Sequence, residues 1–352
     1  MKKSVLATVA VAGVLAVSAP AFASTRVLKE EKVVEVTGNS DTRSPQDIAV
    51  DPALHRAYVT NYGNSTVTVV DTAARAQKVV RGVGIVDGPG GIGVDTELHR
   101  IVVAGTRENA VTIAAGDDAA KIAVVPVGGY RAFDVAVDSK RHLAYVLMQD
   151  KDGGPVSAGA GGNALAVIDV KEGKRLAVLP IDGPFATDVV VDPERDRVYA
   201  NQYGALKVWE SSTRKPLKDV KVDRAGTKTA LNTANGRIYT VQPGERTVTS
   251  VLIEIDPASG KTRTWDTDDK YFDGIAADPA TGRFYVAGSP YYNSGFALTS
   301  FDPATGKSLG KAKLPGDLAH GVAVDPAAKE ILVATCDQNG YKPRTVIYSD
   351  RT

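Results

Sequence analysis

Six side chains carry chemistry at matching places: Asp47, Asp134, Asp188, Lys228, Asp273 and His320. Each stands four or five residues ahead of an acidic or amide residue that closes a short apolar run. The contexts include DIAVDPALHRAYVTN, DVAVDSKRHLAYVLM and GVAVDPAAKEILVAT. If the runs are equivalent elements around one axis, the six share a rim. Carboxylates converging with a histidine can hold a hard cation through oxygen ligands or exchange protons with a substrate. The same carboxylates can instead accept hydrogen bonds from backbone amides of the next element and bridge water, a purely structural role.

The elements that would position them repeat along the chain. The closing residues are Asp51, Asp95, Asp138, Asp192, Asn232, Asp278 and Asp325, spaced 44, 43, 54, 40, 46 and 47 residues apart. Between them lie short β-branched runs punctuated by Gly, Pro, Asn and Asp, and no long amphipathic helical pattern. DPASGK, DPATGR and DPATGK are tight-turn sequences. A 40–50-residue period of short strands predicts an all-β, seven-bladed β-propeller with four-stranded antiparallel blades. In the first repeat the strands fall at 47–50, 57–60, 66–70 and 77–80. The last repeat has only three strands after Gly321, and a spare strand at Glu31–Val36 precedes the first. Pairing the spare strand into the final blade closes the ring and removes an open edge. The repeat lettering resembles the YVTN-repeat propellers, a family of exported proteins, and Tyr58-Val59-Thr60-Asn61 spells its motif. The resemblance spans essentially the whole chain after the leader and implies fold rather than activity.

The repeat also sorts scaffold from face. Tyr58, Tyr145, Tyr199, Tyr239 and Tyr285 all stand seven residues past their closing residue, as expected of packing between blades. His55, His99 and His142 stand four past it, in the turn on the opposite face, and are read as structural. The closing residues themselves are expected to cap those turns. The rim face receives the loops after the second and fourth strands, where Tyr62, Tyr130, Tyr203, Tyr271, Tyr291, Tyr292 and Tyr341 fall, with Arg107, Arg131 and Phe133. Large aromatics concentrated on one face suggest recognition. The expected ligand-binding set is therefore Asp47, Tyr62, Arg107, Arg131, Phe133, Asp134, Asp188, Tyr203, Lys228, Asp273, Tyr291, Tyr292, His320 and Tyr341. The glycine-rich insertion 151–162 lacks the helix that makes a phosphate cradle work and reads as a flap.

Lys2 and Lys3, an apolar stretch and Ala21-Phe22-Ala23 form a secretory leader over 1–23, with a single propeller domain over 24–352. That predicts a secreted, periplasmic protein without membrane insertion. Lys and Arg total 42 against 41 acids. Cleavage would remove two lysines and leave about −1, which supplies no global field for nucleic acid. Cys336 is the one cysteine, so no intramolecular disulfide can form. Zinc-type His/Cys spacings and nucleophile elbows are absent. The first expectation is a non-catalytic module for a small ligand or protein partner. The alternative is a metal-dependent hydrolase or lyase of lactonase type, with Asp134, Asp188 and Asp273 around a divalent cation and His320 as base. No glutamate matches the lactonase pattern. A weaker alternative is single-stranded nucleic acid stacked on the tyrosines.

Overall fold

The computed structural model describes residues 28–35, 45–62, 65–84, 90–128, 130–150, 163–182, 186–202, 204–222, 226, 228–242, 250–267, 269, 271–290, 295–337 and 342–350. The leader, the insertion 151–162, and Phe185, Tyr203, Arg246, Lys270, Tyr291, Tyr292 and Tyr341 lie outside them. Among the described residues the regular structure is all strand, in seven antiparallel sheets of four. None of these residues forms a helix long and apolar enough to cross a membrane.

Blade one joins Pro45–Asp51, Arg56–Asn61, Thr66–Asp71 and Ala76–Arg81 in chain order. Its central strands are almost wholly buried because both faces meet neighbouring blades, which is why they read as continuous apolar runs. Outer strands such as Lys261–Asp266 are solvated and carry Lys, Thr and Arg. The inner strands Pro45–Asp51, Ile92–Asp95, Tyr130–Asp138, Ala186–Asp192, Lys228–Asn232, Tyr271–Ala277 and Leu318–Asp325 each pack on the next, and the last packs on the first. The ring is closed.

Its clasp is the amino-terminal strand. Leu28–Glu35 pairs antiparallel with Arg344–Asp350, in the same sheet as Glu330–Cys336 and Leu318–Asp325. The strand starts three residues earlier than the expected Glu31–Val36, and Val36 lies outside the described residues. Leu28 explains the earlier start, since it is buried in a core with Phe296 and Leu314. Val34 fills the next core with Ile48 and Leu332. Across the seam Arg75 pairs with Glu330.

The closing residues cap turns as expected. Asp51 Oδ1 accepts the amides of Ala53 and Leu54 at 3.1 and 3.3 Å, and Asp325 Oδ1 those of Ala327 and Ala328 at 3.0 and 2.9 Å. The position four residues on always has positive φ: His55, His99 and His142 at 52°, 52° and 53°, then Asp196, Gly236, Gly282 and Lys329. Histidine, aspartate and glycine tolerate that conformation. Two of the histidines also staple blades together, His99 Nδ1 to Asp51 Oδ2 at 2.8 Å and His142 Nδ1 to Asp95 Oδ2 at 2.9 Å.

All five repeat tyrosines are buried. Three reach the next blade: Tyr58 Oη donates to the Gly116 carbonyl at 2.6 Å, Tyr145 Oη to that of Ser211 at 2.8 Å, and Tyr285 Oη to Asp350 at 3.1 Å. Their structural reading stands. Tyr145→Phe should lower unfolding free energy by about 1 kcal/mol, the net worth of one hydrogen bond. Tyr145→Ala should cost roughly 3–5 kcal/mol through the cavity it leaves. Urea denaturation of the two variants checks the ratio.

Candidate functional site

A repeated irregularity builds the site. In blade three Ala132 pairs with Met148 and Asp134 with Leu147, so Phe133 is an extra residue; the same slip leaves Thr187 extra in blade four. In blades six and seven the extra residues are Asp273 and His320. Two residues opposing one form a β-bulge, which bends the strand and re-aims a side chain. The rim can therefore be furnished from either of two offsets. Asp47, Asp134, Asp188 and Lys228 come from one. Asp273 and His320 come from the other, each followed by glycine.

Those glycines are required by close approach. A Cβ on Gly321 would lie 2.9 Å from Ile48 Cγ2 and 3.1 Å from Ile48 N in blade one. A Cβ on Gly274 would lie 2.8 Å from Val322 Cγ2 and 3.1 Å from Val322 N in blade seven. Where the inner strand is pressed this tightly on its neighbour, the functional side chain moves to the bulge.

All six expected rim residues line one cavity of about 170 Å³ at the axis, with Val135, Val189, Thr229, Ile275 and Val322. The three aspartates at the common offset also tie blade to blade. Asp47 Oδ2 accepts the Ile92 amide at 3.1 Å, Asp134 Oδ2 that of Val189 at 2.9 Å, and Asp188 Oδ2 that of Thr229. Asp47 Oδ1 takes its own neighbour's amide, Ile48, at 2.9 Å. By contrast, among the described residues no hydrogen bond or ion pair within 4.0 Å fixes the Asp273 carboxyl or the Lys228 ammonium. Cys336 Sγ lies 3.6 Å from His320 Nε2.

Burial dominates the electrostatics. It raises Asp47 to about 6, helped by the charge of Asp134 and opposed by Lys228 and the two amides. It lifts Asp188 well above the usual carboxylate range, with Asp134 adding to the rise. It brings Asp273 to about 6 against the pull of Lys228. Burial, then Lys228, depress His320 to about 4, so its imidazole is neutral at pH 7. Burial alone would lower Lys228, but Asp188, Asp47, Asp134 and Asp273 outweigh it and hold the ammonium charged. Such an amine is a poor nucleophile.

The remaining expected residues are not gathered there. Phe133 packs into the core between blades three and four, with Tyr145 and Trp209. Arg107 and Arg131 are exposed at the rim face, and Tyr62 is 38% exposed. Tyr203, Tyr291, Tyr292 and Tyr341 fall outside the described residues. Among the described residues no three His, Cys, Asp or Glu side chains form a ready metal-ligand group. Two features were missed in the sequence: the cysteine beside His320, and the glycine that accompanies a charged bulge residue. The pairs Asp273-Gly274 and His320-Gly321 were the available signal for the second.

Fold and site together define a seven-bladed β-propeller with an acidic axial cavity. No protein-family model matches the chain, and no curated protein matches it in sequence. Among solved structures it is similar to a chain of the Kuenenia stuttgartiensis hydrazine synthase, at a TM-score of 0.69 and 17% identity, covering 89% of this chain and 98% of that one. That likeness shows the fold alone.

The raised carboxyls have a consequence for stability. A carboxyl whose folded pKa exceeds its unfolded value stabilises the fold below the unfolded pKa, and loses that contribution as pH rises through the folded one. Asp273 should therefore weaken the fold between about pH 4 and 6. Asp273→Asn removes this term, so its stability relative to the native chain should climb by up to about 3 kcal/mol over that window. Melting temperatures across pH 4–8 check the sign.

Proposed function

We propose that the chain is an exported, periplasmic propeller of the YVTN-repeat kind that binds a small polar ligand at its axial cavity without turning it over. The observation that carries this is the convergence of Asp273, Lys228 and His320, from three successive blades, on a space their own side chains do not fill. Asp134 and Asp188 spend oxygens on the amides of Val189 and Thr229, which makes them fixed walls rather than mobile acids. Lys228 is held as an ammonium, which favours recognition over covalent chemistry. The loops around the mouth, with Tyr62, Arg107 and Arg131, would form the outer part of the same surface.

A lactonase-like reaction around a divalent cation fits less well. Two of its three expected ligands, Asp134 and Asp188, are already committed to backbone amides. Stacked nucleic acid draws no support from the cavity.

The chain has four histidines, and only His320 lines the cavity. Histidine ring resonances therefore report the site with three internal controls. Titration with methylammonium, acetate, glycerol and Ca²⁺ should move His320 saturably with at least one probe and leave His55, His99 and His142 unmoved. A visible His320 signal that ignores all four probes would overturn the binding reading. Export is checked separately: protein recovered from the periplasm of a Gram-negative host should begin at Ser24 by mass spectrometry, and retention of residues 1–23 would refute it.

A further inference from the structure

We infer that the ligand of this cavity is a protonated amine. The inference rests on the cavity being a binding site, and adds the chemical class. Four carboxylates, Asp47, Asp134, Asp188 and Asp273, face one permanent cation, Lys228, and one imidazole, His320; these are all the charged or titratable groups lining the space. The balance favours a second positive charge over an anion.

The donor geometry separates an ammonium from a bare metal ion. A dehydrated cation needs several oxygens at one point, and the described residues offer no such group. An ammonium needs separate acceptors in different directions. Asp273, whose carboxyl accepts no amide among the described residues, provides one, and Asp47, Asp134 and Asp188 face the same space from other blades. Val135, Val189, Thr229, Gly274, Ile275, Gly321 and Val322 complete the lining.

Binding is then an exchange of cations. Burial raises Asp47 and Asp273 to about 6 and lifts Asp188 as well. An entering ammonium must displace protons, so affinity should rise with pH until those carboxyls are free.

Methylammonium chloride, titrated against sodium chloride at matched ionic strength, should shift the His320 resonance and bind at least tenfold more weakly at pH 5 than at pH 7.5. Asp273→Asn should lose at least tenfold in affinity; it is the variant expected to fold best. Lys228→Met, which removes the resident ammonium, should bind methylammonium at least tenfold more tightly. If acetate moves His320, methylammonium does not, and Lys228→Met abolishes the effect, the ligand is an anion: the amine assignment falls while the binding reading stands. If Ca²⁺ binds and displaces methylammonium, the site belongs to a metal and the assignment falls. If no probe moves His320, both readings fall.

Discussion

A propeller blade has an open edge at the axis, and the rest of this molecule follows from how that edge is closed. An inner strand hydrogen-bonds outward to its second strand but has no strand on its other side, so amides pointing to the axis lack partners. Unpaired buried amides are costly. Here the Ile92, Val189 and Thr229 amides are answered by the carboxylates of Asp47, Asp134 and Asp188 from preceding blades. Gly91, with no carboxylate to receive it, donates instead to the Phe133 carbonyl at 2.9 Å. The axial aspartates thus close an edge and join two blades at once.

The opposite face solves the same problem with different residues. Each closing carboxylate caps its own turn with one oxygen, and several reach the next blade with the other, through His99, His142 or Ser211. Arg195 extends the pattern by bonding Asp192 and the Thr233 and Ala234 carbonyls of the following blade. Buried tyrosines supply the seams between the two faces. Consecutive blades share only a loop as covalent linkage, so these polar joints, with the apolar cores beside them, fix blade against blade.

The periodic residues made most of this legible. Turn-capping aspartates, positive-φ histidines and seam tyrosines recur at constant offsets because each performs one steric task in several blades, and repetition exposes the task. The six cavity residues were recognisable for a related reason: they break the repeat at a position whose place in the ring was known. Less could be read where the fold departs from strict period two. The bulge gives Phe133 to a core and Asp273 to the axis from the same offset, and only packing against the adjoining blade decides which. Glycine at the following position marks that decision, through contacts that are long-range in sequence. The His320–Cys336 approach is likewise set by pairing across a bulge, where residue spacing gives no simple rule.

Closing an axis with carboxylates has an electrostatic consequence that shapes any function the ring can have. Aspartates that satisfy amides on neighbouring seams must converge, and burial then raises the free energy of ionising each one. The chain relieves this in two ways: Gly91, Gly274 and Gly321 omit acids from the common offset on three blades, and Lys228 replaces one with a cation. Neither of these explains Asp273, which satisfies no amide in the described structure and adds a fourth carboxyl where structure alone would favour fewer. A residue that burdens the fold and closes no edge is the one most reasonably ascribed to a ligand. It stands beside the one ammonium the site contains.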